Sequence, residues 1–296
     1  TPGHEEYTRN MATGASNADV AIILIDARKG VLEQTRRHSF IVSLLGIKHV
    51  VVAVNKMDLV KFNQDVFNEI INSYDDLSKN FNFESKKFIP LSALTGDNVF
   101  STQNNMSWYR EKTLIDTLEN IEIKNQSVEN EFSMPVQWVN RSSSDFRGFS
   151  GTITSGIIEK GMEISILPSL KTSTIKKIIG PSGEIDKAIT GQAITLTLNT
   201  EVDISRGDIL TSSLNIDIVL ADQFAAHIIW MDNERMLPER NYIFRFINSY
   251  VPGQVTDLTH SININTYEAI AAKTLKLNDI GYCKVALNKA IPFSSY

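Results

Sequence analysis

Two short runs of unbroken apolarity constrain this chain more than any other feature. Val20–Ile25 and Val50–Val54 contain no polar residue, and neither approaches the roughly 18 residues that a membrane-spanning helix needs. Runs of that length fit strands buried on both faces, as in a parallel sheet. Each ends on a polar group, Asp26 after the first and Asn55 after the second. Parallel strands need a long crossover between them, and the sequence supplies helical stripes for it. Glu33–Leu45 sets Phe40, Ile41, Leu44 and Leu45 on one face, with Gly46 as a stop. Asn63 can cap a second helix carrying Val66, Phe67, Ile70, Ile71, Tyr74 and Leu77. Phe88–Leu91 reads as a third strand, and Thr113 as the cap of a last helix through Leu114, Ile115, Leu118 and Ile121. Strand alternating with helix is the grammar of an α/β sheet with right-handed crossovers.

That grammar stops near residue 125. Lys124–Glu131 is polar and reads as a linker. Beyond it come short strands and glycine turns, among them Val136–Asn140, Gly151–Ser155, Glu163–Leu167, Ile194–Leu198, Ala225–Trp230, Tyr242–Phe246 and Ile280–Leu287. Regularly spaced short strands predict barrels, and Asp217–Ala221 is a plausible break between two of them. The expected organisation is an α/β domain over residues 1–126, a β-barrel over 127–216 and a second, incomplete barrel over 217–296.

Composition narrows the function classes. A net charge of −5 over 296 residues argues against a protein that wraps nucleic acid, which needs a basic surface to displace counterions. Cys283 is the single cysteine, so no disulfide forms within the chain and no CxxC metal site exists. A lone thiol fits a reducing cytoplasm. The five histidines show no metal-binding spacing. Gly148-Phe149-Ser150-Gly151 approaches a nucleophile elbow but has Thr152 where a glycine is required. No metal-ligating residue is assigned.

Three stretches carry chemistry together. They are Thr1-Pro2-Gly3-His4-Glu5, Asn55-Lys56-Met57-Asp58 at the end of the second strand, and Ser92-Ala93-Leu94 at the end of the third. Ligands of open α/β sheets sit at the carboxyl ends of strands. Guanine presents two adjacent donors, N1–H and its exocyclic amine, and the Asp58 carboxylate can accept both. Adenine would leave that acceptor unsatisfied, at a cost. Asn55 can bond the opposite edge of the base or brace the loop. The Lys56 stem can lie across the ring, and the Ala93 N–H can meet the guanine carbonyl. Gly3 lets a backbone N–H approach a terminal phosphate, and His4 is the candidate to position an attacking water.

These motifs resemble the switch II, base-recognition and base-loop motifs of translation-factor-type GTPases. Arg147-Gly148, Gly151, Ser155-Gly156, Gly161 and Ser205-Arg206-Gly207-Asp208 resemble the turn pattern of that superfamily's second domain. Within it, Tyr7–Ser16, Asp26–Val31, Gln34–Ser39, Pro135–Arg141, Ala271–Leu275 and Leu277–Gly281 resemble the large-subunit family of bacterial sulfate adenylyltransferases. The resemblance implies an α/β GTPase domain followed by two β-barrel domains. It implies GTP with Mg2+, and a heterodimer with a small catalytic subunit, neither nucleic acid nor membrane being a partner. GTP hydrolysis would drive ATP and sulfate to adenosine 5′-phosphosulfate and pyrophosphate in the cytoplasm.

The departures from the family pattern set further expectations. No GxxxxGK[ST] occurs, so the phosphate-cradling loop and the magnesium ligands are expected in a preceding segment. The chain is expected to be truncated at both ends and the fragment inactive alone. Arg110-Glu111-Lys112 stands where the family pattern has a glycine-containing turn. The rivals are an elongation-factor-type GTPase that binds aminoacyl-tRNA and a GTPase-like scaffold without turnover.

Overall fold

The computed structural model describes residues 8–101, 104–123, 130–143, 146–212, 218–246 and 249–294. Contacts divide the chain into two compact units. The first comprises Thr1–Ile123 with His227–Met236 and Leu258–Tyr282; the second comprises Lys124–Ala226 with Leu237–Asp257 and Cys283–Tyr296.

In the first unit the chain runs α1 (Thr8–Ala15), β1 (Val20–Asp26), α2 (Glu33–Leu44), β2 (His49–Asn55), α3 (Gln64–Leu77), β3 (Ser85–Pro90) and α4 (Leu114–Glu119). The three strands are parallel in the order β1-β2-β3, with Val20 opposite His49 and His49 opposite Ser85. The central strand β2 is covered on both faces. Val50, Val52 and Val54 pack with Ile41, Phe67, Ile70 and Tyr74, while Val51 and Ala53 pack with Ile89 and Leu91. Its unbroken apolarity follows from that double burial.

For β1 the expected double burial is corrected. Ile23 and Ile25 are buried, but Ile22 is 45% and Leu24 62% exposed. β1 is an edge strand among the described residues, and on its second face Val20 packs against the cluster of Val51, Ala53, Ile89 and Leu91 while Ile22 and Leu24 stay open. The helix ends follow local chemistry. Gly46 takes the left-handed conformation after α2, with φ +73°. The Asn63 side chain accepts the Asp65 and Val66 N–H groups at 2.7 and 3.4 Å, and Thr113 accepts that of Asp116 at 3.2 Å. α4 stops at Glu119, short of Ile121, with Asn120 returning its amide to the Asp116 carbonyl at 2.7 Å. Still within this unit, Tyr267 stacks on Phe40 at 5.3 Å, meets Phe81 edge-on at 5.1 Å and donates its hydroxyl to the Arg36 carbonyl at 3.3 Å.

The second unit holds β4 (Ser133–Pro135), β5 (Trp138–Ser143), β6 (Phe146–Thr152), β7 (Ile157–Glu159), β8 (Glu163–Leu167), β9 (Lys171–Gly180), β10 (Gly183–Ile185), β11 (Lys187–Ile189), β12 (Ala193–Leu198) and β13 (Ile209–Ser212). The main sheet runs β4-β13-β8-β9-β12-β6-β5, with β10 on β9, and β11 pairs β7 separately. An antiparallel bridge from Ser133 to Ser155 brings the β4 end of this path back to the chain leaving β6, which bends the sheet towards closure. Phe132, Met134, Ile158, Ile164, Ile166, Ile178, Leu196 and Leu210 fill its interior. Gly151 is dictated by that closure, since a Cβ there would lie 2.3 Å from the Pro135 carbonyl oxygen.

The remaining strands are β14 (Ile218–Ile229), β15 (Asn241–Phe246), β16 (Ser249–Ile262), β17 (Ala269–Ile270) and β18 (Ile280–Ser294), ordered β14-β18-β16-β15 with β17 on β16. Three of them are far longer than the short strands expected. Polar residues such as Gln254 and Lys284 interrupt the apolar pattern on the outward positions without ending the ladder.

Candidate nucleotide-binding site

The carboxyl ends of the first unit's strands gather the polar groups that the sequence singles out. Asp26 and Asn55 are direct register partners at the ends of β1 and β2. Pairing continues past β3, with Leu91 N–H on the Val54 carbonyl at 2.8 Å and Met57 N–H on the Leu91 carbonyl at 3.2 Å. The Asn-Lys-Met-Asp turn and the Ser-Ala-Leu turn are therefore side by side.

Asn55 Oδ1 accepts two backbone N–H groups, Lys56 at 2.7 Å and Ala93 at 3.0 Å. Both partners are donors, so the atom facing them is the oxygen. Of the two roles open to Asn55, this one braces the loop. It also means that the Ala93 N–H, expected to be free for a guanine carbonyl, is already bonded within the protein. Lys56 sits in the left-handed region at φ 65°, and a short 3-10 turn over Met57–Val60 then buries Met57 completely.

Asp58 is half-buried, and its Oδ1 accepts the hydroxyl of the fully buried Ser92 at 2.7 Å. Ser92 Oγ in turn accepts the Thr95 N–H at 3.3 Å. Asp97, also fully buried, fixes the far side of this turn. It accepts the Thr95 hydroxyl and, at 3.0 Å, the Asn105 amide, and its carbonyl takes the Ser92 N–H at 3.2 Å. The Leu94 side chain projects away, 86% exposed. Pro2, Gly3 and His4 lie outside the described residues.

Two residues that sequence reasoning did not assign belong to the site. Lys56 Nζ pairs with Asp26 Oδ2 at 2.9 Å, and Arg28 grips both oxygens of Asp26 at 3.0 and 2.7 Å. The Arg28 guanidinium, and then the Lys56 ammonium, hold the Asp26 carboxyl well below the usual carboxylate range, against a desolvation that raises it. The available signal was an acid at the end of a buried strand. A cavity of about 840 Å³ opens beside these groups, lined by Asp26, Lys29, Asn55, Lys56, Gln34 and His38. Gln34 Oε1 and His38 Nε2 are buried there without partners among the described residues, and burial pushes the His38 pKa down. Among the described residues no group of three or more His, Cys, Asp or Glu could hold a metal ion. Among them no helix is long and apolar enough to cross a membrane.

Comparison with known proteins adds to this geometry. The family model of the elongation factor Tu GTP binding domain matches residues 1–130, and that of the GTP-eEF1A C-terminal domain-like family matches residues 223–296. Sulfate adenylyltransferase subunit 1 of Saccharophagus degradans is 47% identical over 296 residues, and that of Teredinibacter turnerae 48%. Each alignment covers 100% of this chain and 63% of the relative. Over its whole length the chain is thus a homologue of sulfate adenylyltransferase subunit 1, and its first 130 residues match a GTP binding domain of the elongation factor Tu type. The bifunctional enzyme NodQ of Rhizobium sp. is another relative of this subunit 1 homologue, 50% identical over 100% of the chain and 46% of NodQ. The homologue thus spans under two thirds of the length of these curated relatives. Among solved structures, Sup35 complexed with GDP aligns at a TM-score of 0.53 and 23% identity, covering 96% of this chain and 73% of that one. Elongation factor SelB from Methanococcus maripaludis in its apo form aligns at 0.50 and 23%, covering 99% and 63%. At that identity the likeness speaks for fold alone: a translation-GTPase-type α/β domain with β-barrel-type domains after it.

Proposed function

We infer that this chain is the guanine-nucleotide-binding part of a sulfate adenylyltransferase subunit 1, in which GTP hydrolysis drives the joining of ATP and sulfate. The products are adenosine 5′-phosphosulfate and pyrophosphate, made in the cytoplasm on a small partner subunit of a heterodimer. The whole-chain identity to subunit 1 relatives favours this over delivery of aminoacyl-tRNA.

The observation that carries the reading is the Asp58 carboxylate, braced by Ser92 on one oxygen and with the other unbonded among the described residues. The two oxygens of the carboxylate can accept the N1–H and amine pair that only guanine among the common purines presents, Oδ1 keeping a lone pair for it beside the Ser92 hydroxyl. Nδ2 of Asn55 is free among the described residues to donate to the ring's other edge while Oδ1 holds the loop. Lys56, anchored on Asp26, keeps its stem beside the base position. His4, assigned from its place after Pro2-Gly3, positions the attacking water. Magnesium bound with GTP would neutralise charge on the phosphates.

Asp58→Asn tests the reading in the intact subunit. The amide offers a donor where guanine also donates, and should weaken GTP binding by about 2–4 kcal/mol while improving xanthosine triphosphate, whose 2-oxo group accepts. Competition binding with both nucleotides measures it. An Asp58→Asn variant that keeps its GTP affinity would remove the base-site assignment.

A further inference from the structure

The second unit holds a polar cavity that the guanine site does not use. β12 lies between β6 and β9, and its pairing with β9 slips by one residue. Thr197 faces Lys177 and Leu198 faces Ile175, so Lys176 is left without a partner across the ladder. A bulge of this kind breaks the alternation of faces and re-aims side chains. Lys176 and Lys177 accordingly both line one cavity of about 530 Å³, together with Arg147 and Thr197.

Two of these groups are left with unmet hydrogen-bonding capacity. Thr197 is only 8% exposed, and its hydroxyl is buried without a partner among the described residues. Arg147 gives Nη2 to Asp203 at 3.1 Å and lies over the Phe149 ring with Cζ 5.5 Å from the centroid, yet its Nε is buried and unbonded among the described residues. Nearby hydroxyls do not compensate, because those of Ser150 and Thr195 bond each other at 2.8 Å. Buried donors left unmatched are costly and rare in folded proteins.

The charges decide what would match them. Lys176 is exposed and makes no ion pair among the described residues. Of the acids lining the cavity, Glu184 is held by Lys160 at 3.1 Å and by Lys177 at 2.8 Å, which leaves Glu201 at the exposed rim. Arginine and lysine only donate, so a guest has to bring acceptors, and negative charge strengthens each bond it accepts. We propose that this cavity is a binding site for an oxyanion, a phosphate or carboxylate group, with Lys176 Nζ as its exposed donor and with Arg147 Nε and Thr197 Oγ1, closed to solvent in this structure, uncovered by side-chain movement as its further donors. The proposal is independent of the guanine site.

The test titrates inorganic phosphate and acetate separately into the isotope-labelled 296-residue chain at constant ionic strength, reading amide shifts at Lys176, Lys177 and Thr197. Saturation is expected with at least one probe, with a dissociation constant on the order of 1–10 mM. Phosphate alone would assign a phosphate-bearing ligand, and acetate a carboxylate. Thr197→Val and Lys176→Gln should each weaken binding about fivefold or more, while Lys79→Gln, a control at an exposed cation of the first unit, should not. Without probe, Thr197→Val should hold or raise the melting temperature, because the hydroxyl it removes bonds nothing. Absence of saturation with either probe up to about 50 mM would overturn the proposal. So would equal weakening by Lys79→Gln, or a lowered melting temperature in Thr197→Val.

Discussion

Asn55 joins two loops through a single oxygen, which makes its contribution measurable. Oδ1 accepts the N–H groups of Lys56 at 2.7 Å and of Ala93 at 3.0 Å, tying the end of β2 to the turn after β3. Asn55→Ala removes the acceptor for both. A net worth of about 1 kcal/mol per bond gives about 2 kcal/mol, reduced somewhat because Ala93 is exposed and water can reach its N–H. At about 2–4 °C per kcal/mol, the melting temperature should fall by about 3–8 °C. Asn55→Asp retains an oxygen in the same place and adds charge to the bonds it accepts. The Nδ2 it replaces bonds nothing among the described residues, so this variant should stay within about 0.5 kcal/mol of the parent. Urea unfolding followed by tryptophan fluorescence ranks the three proteins by midpoint at constant slope. If the Asp variant were as unstable as the Ala variant, or the Ala variant as stable as the parent, Asn55 would not be the brace described. Nucleotide binding separates the Asp variant from the parent where stability does not: it loses the amide donor and should bind GTP more weakly despite its intact fold.

Two further outcomes follow from particular contacts. Asp26→Asn should destabilise the protein by about 1 kcal/mol at pH 7. The folded-state pKa of Asp26 is depressed by Arg28 and Lys56, so its contribution is full above the unfolded value of about 3.9 and is lost as pH falls below that towards the folded value. Unfolding curves of parent and variant should therefore converge in acid, and a gap that widened there would contradict the assignment. Gly151→Ala sets a methyl against the Pro135 carbonyl and should cost about 3 kcal/mol or more, since a backbone atom and not a flexible side chain stands in the way. Thermal unfolding within about 0.5 kcal/mol of the parent would rule out that close approach.

The parts of this fold legible in the sequence are those where one local signal has one structural meaning. β2 is such a case, because apolarity without alternation demands cover on both faces and receives it. The same pattern misleads in β1, where Ile22 and Leu24 meet no described cover; a sequence run states which strands tolerate burial, not which obtain it. α1 was illegible because Thr, Asn and Gly14 are weak helix formers, and burial of Thr8, Met11 and Ala12 overrides them. At the site, residue types and strand-end positions could be read directly. What could not be read was who bonds whom. The hydrogen bond of Ala93 to Asn55 and the anchoring of Lys56 by Asp26 are contacts across a sheet, and a one-dimensional pattern carries no trace of them.

The parallel registers of β1, β2 and β3 bear on how the protein comes into being. Val20 must find His49, and His49 must find Ser85, each across an intervening helix, before any bond of the ladder forms. Closing such loops costs chain entropy in advance of any reward, and pairings of this kind are slow to form. Short antiparallel links, such as β10 folding back on β9 or β15 on β16, face no such wait. Asp58 and Ser92 meet only once the last of the parallel pairings is made. When the whole chain refolds, the Asn55–Asp58 turn is thus among the latest parts to mature, and hydrogen exchange pulsed during refolding should find Ala93 and Thr95 protected after the amides of those hairpins.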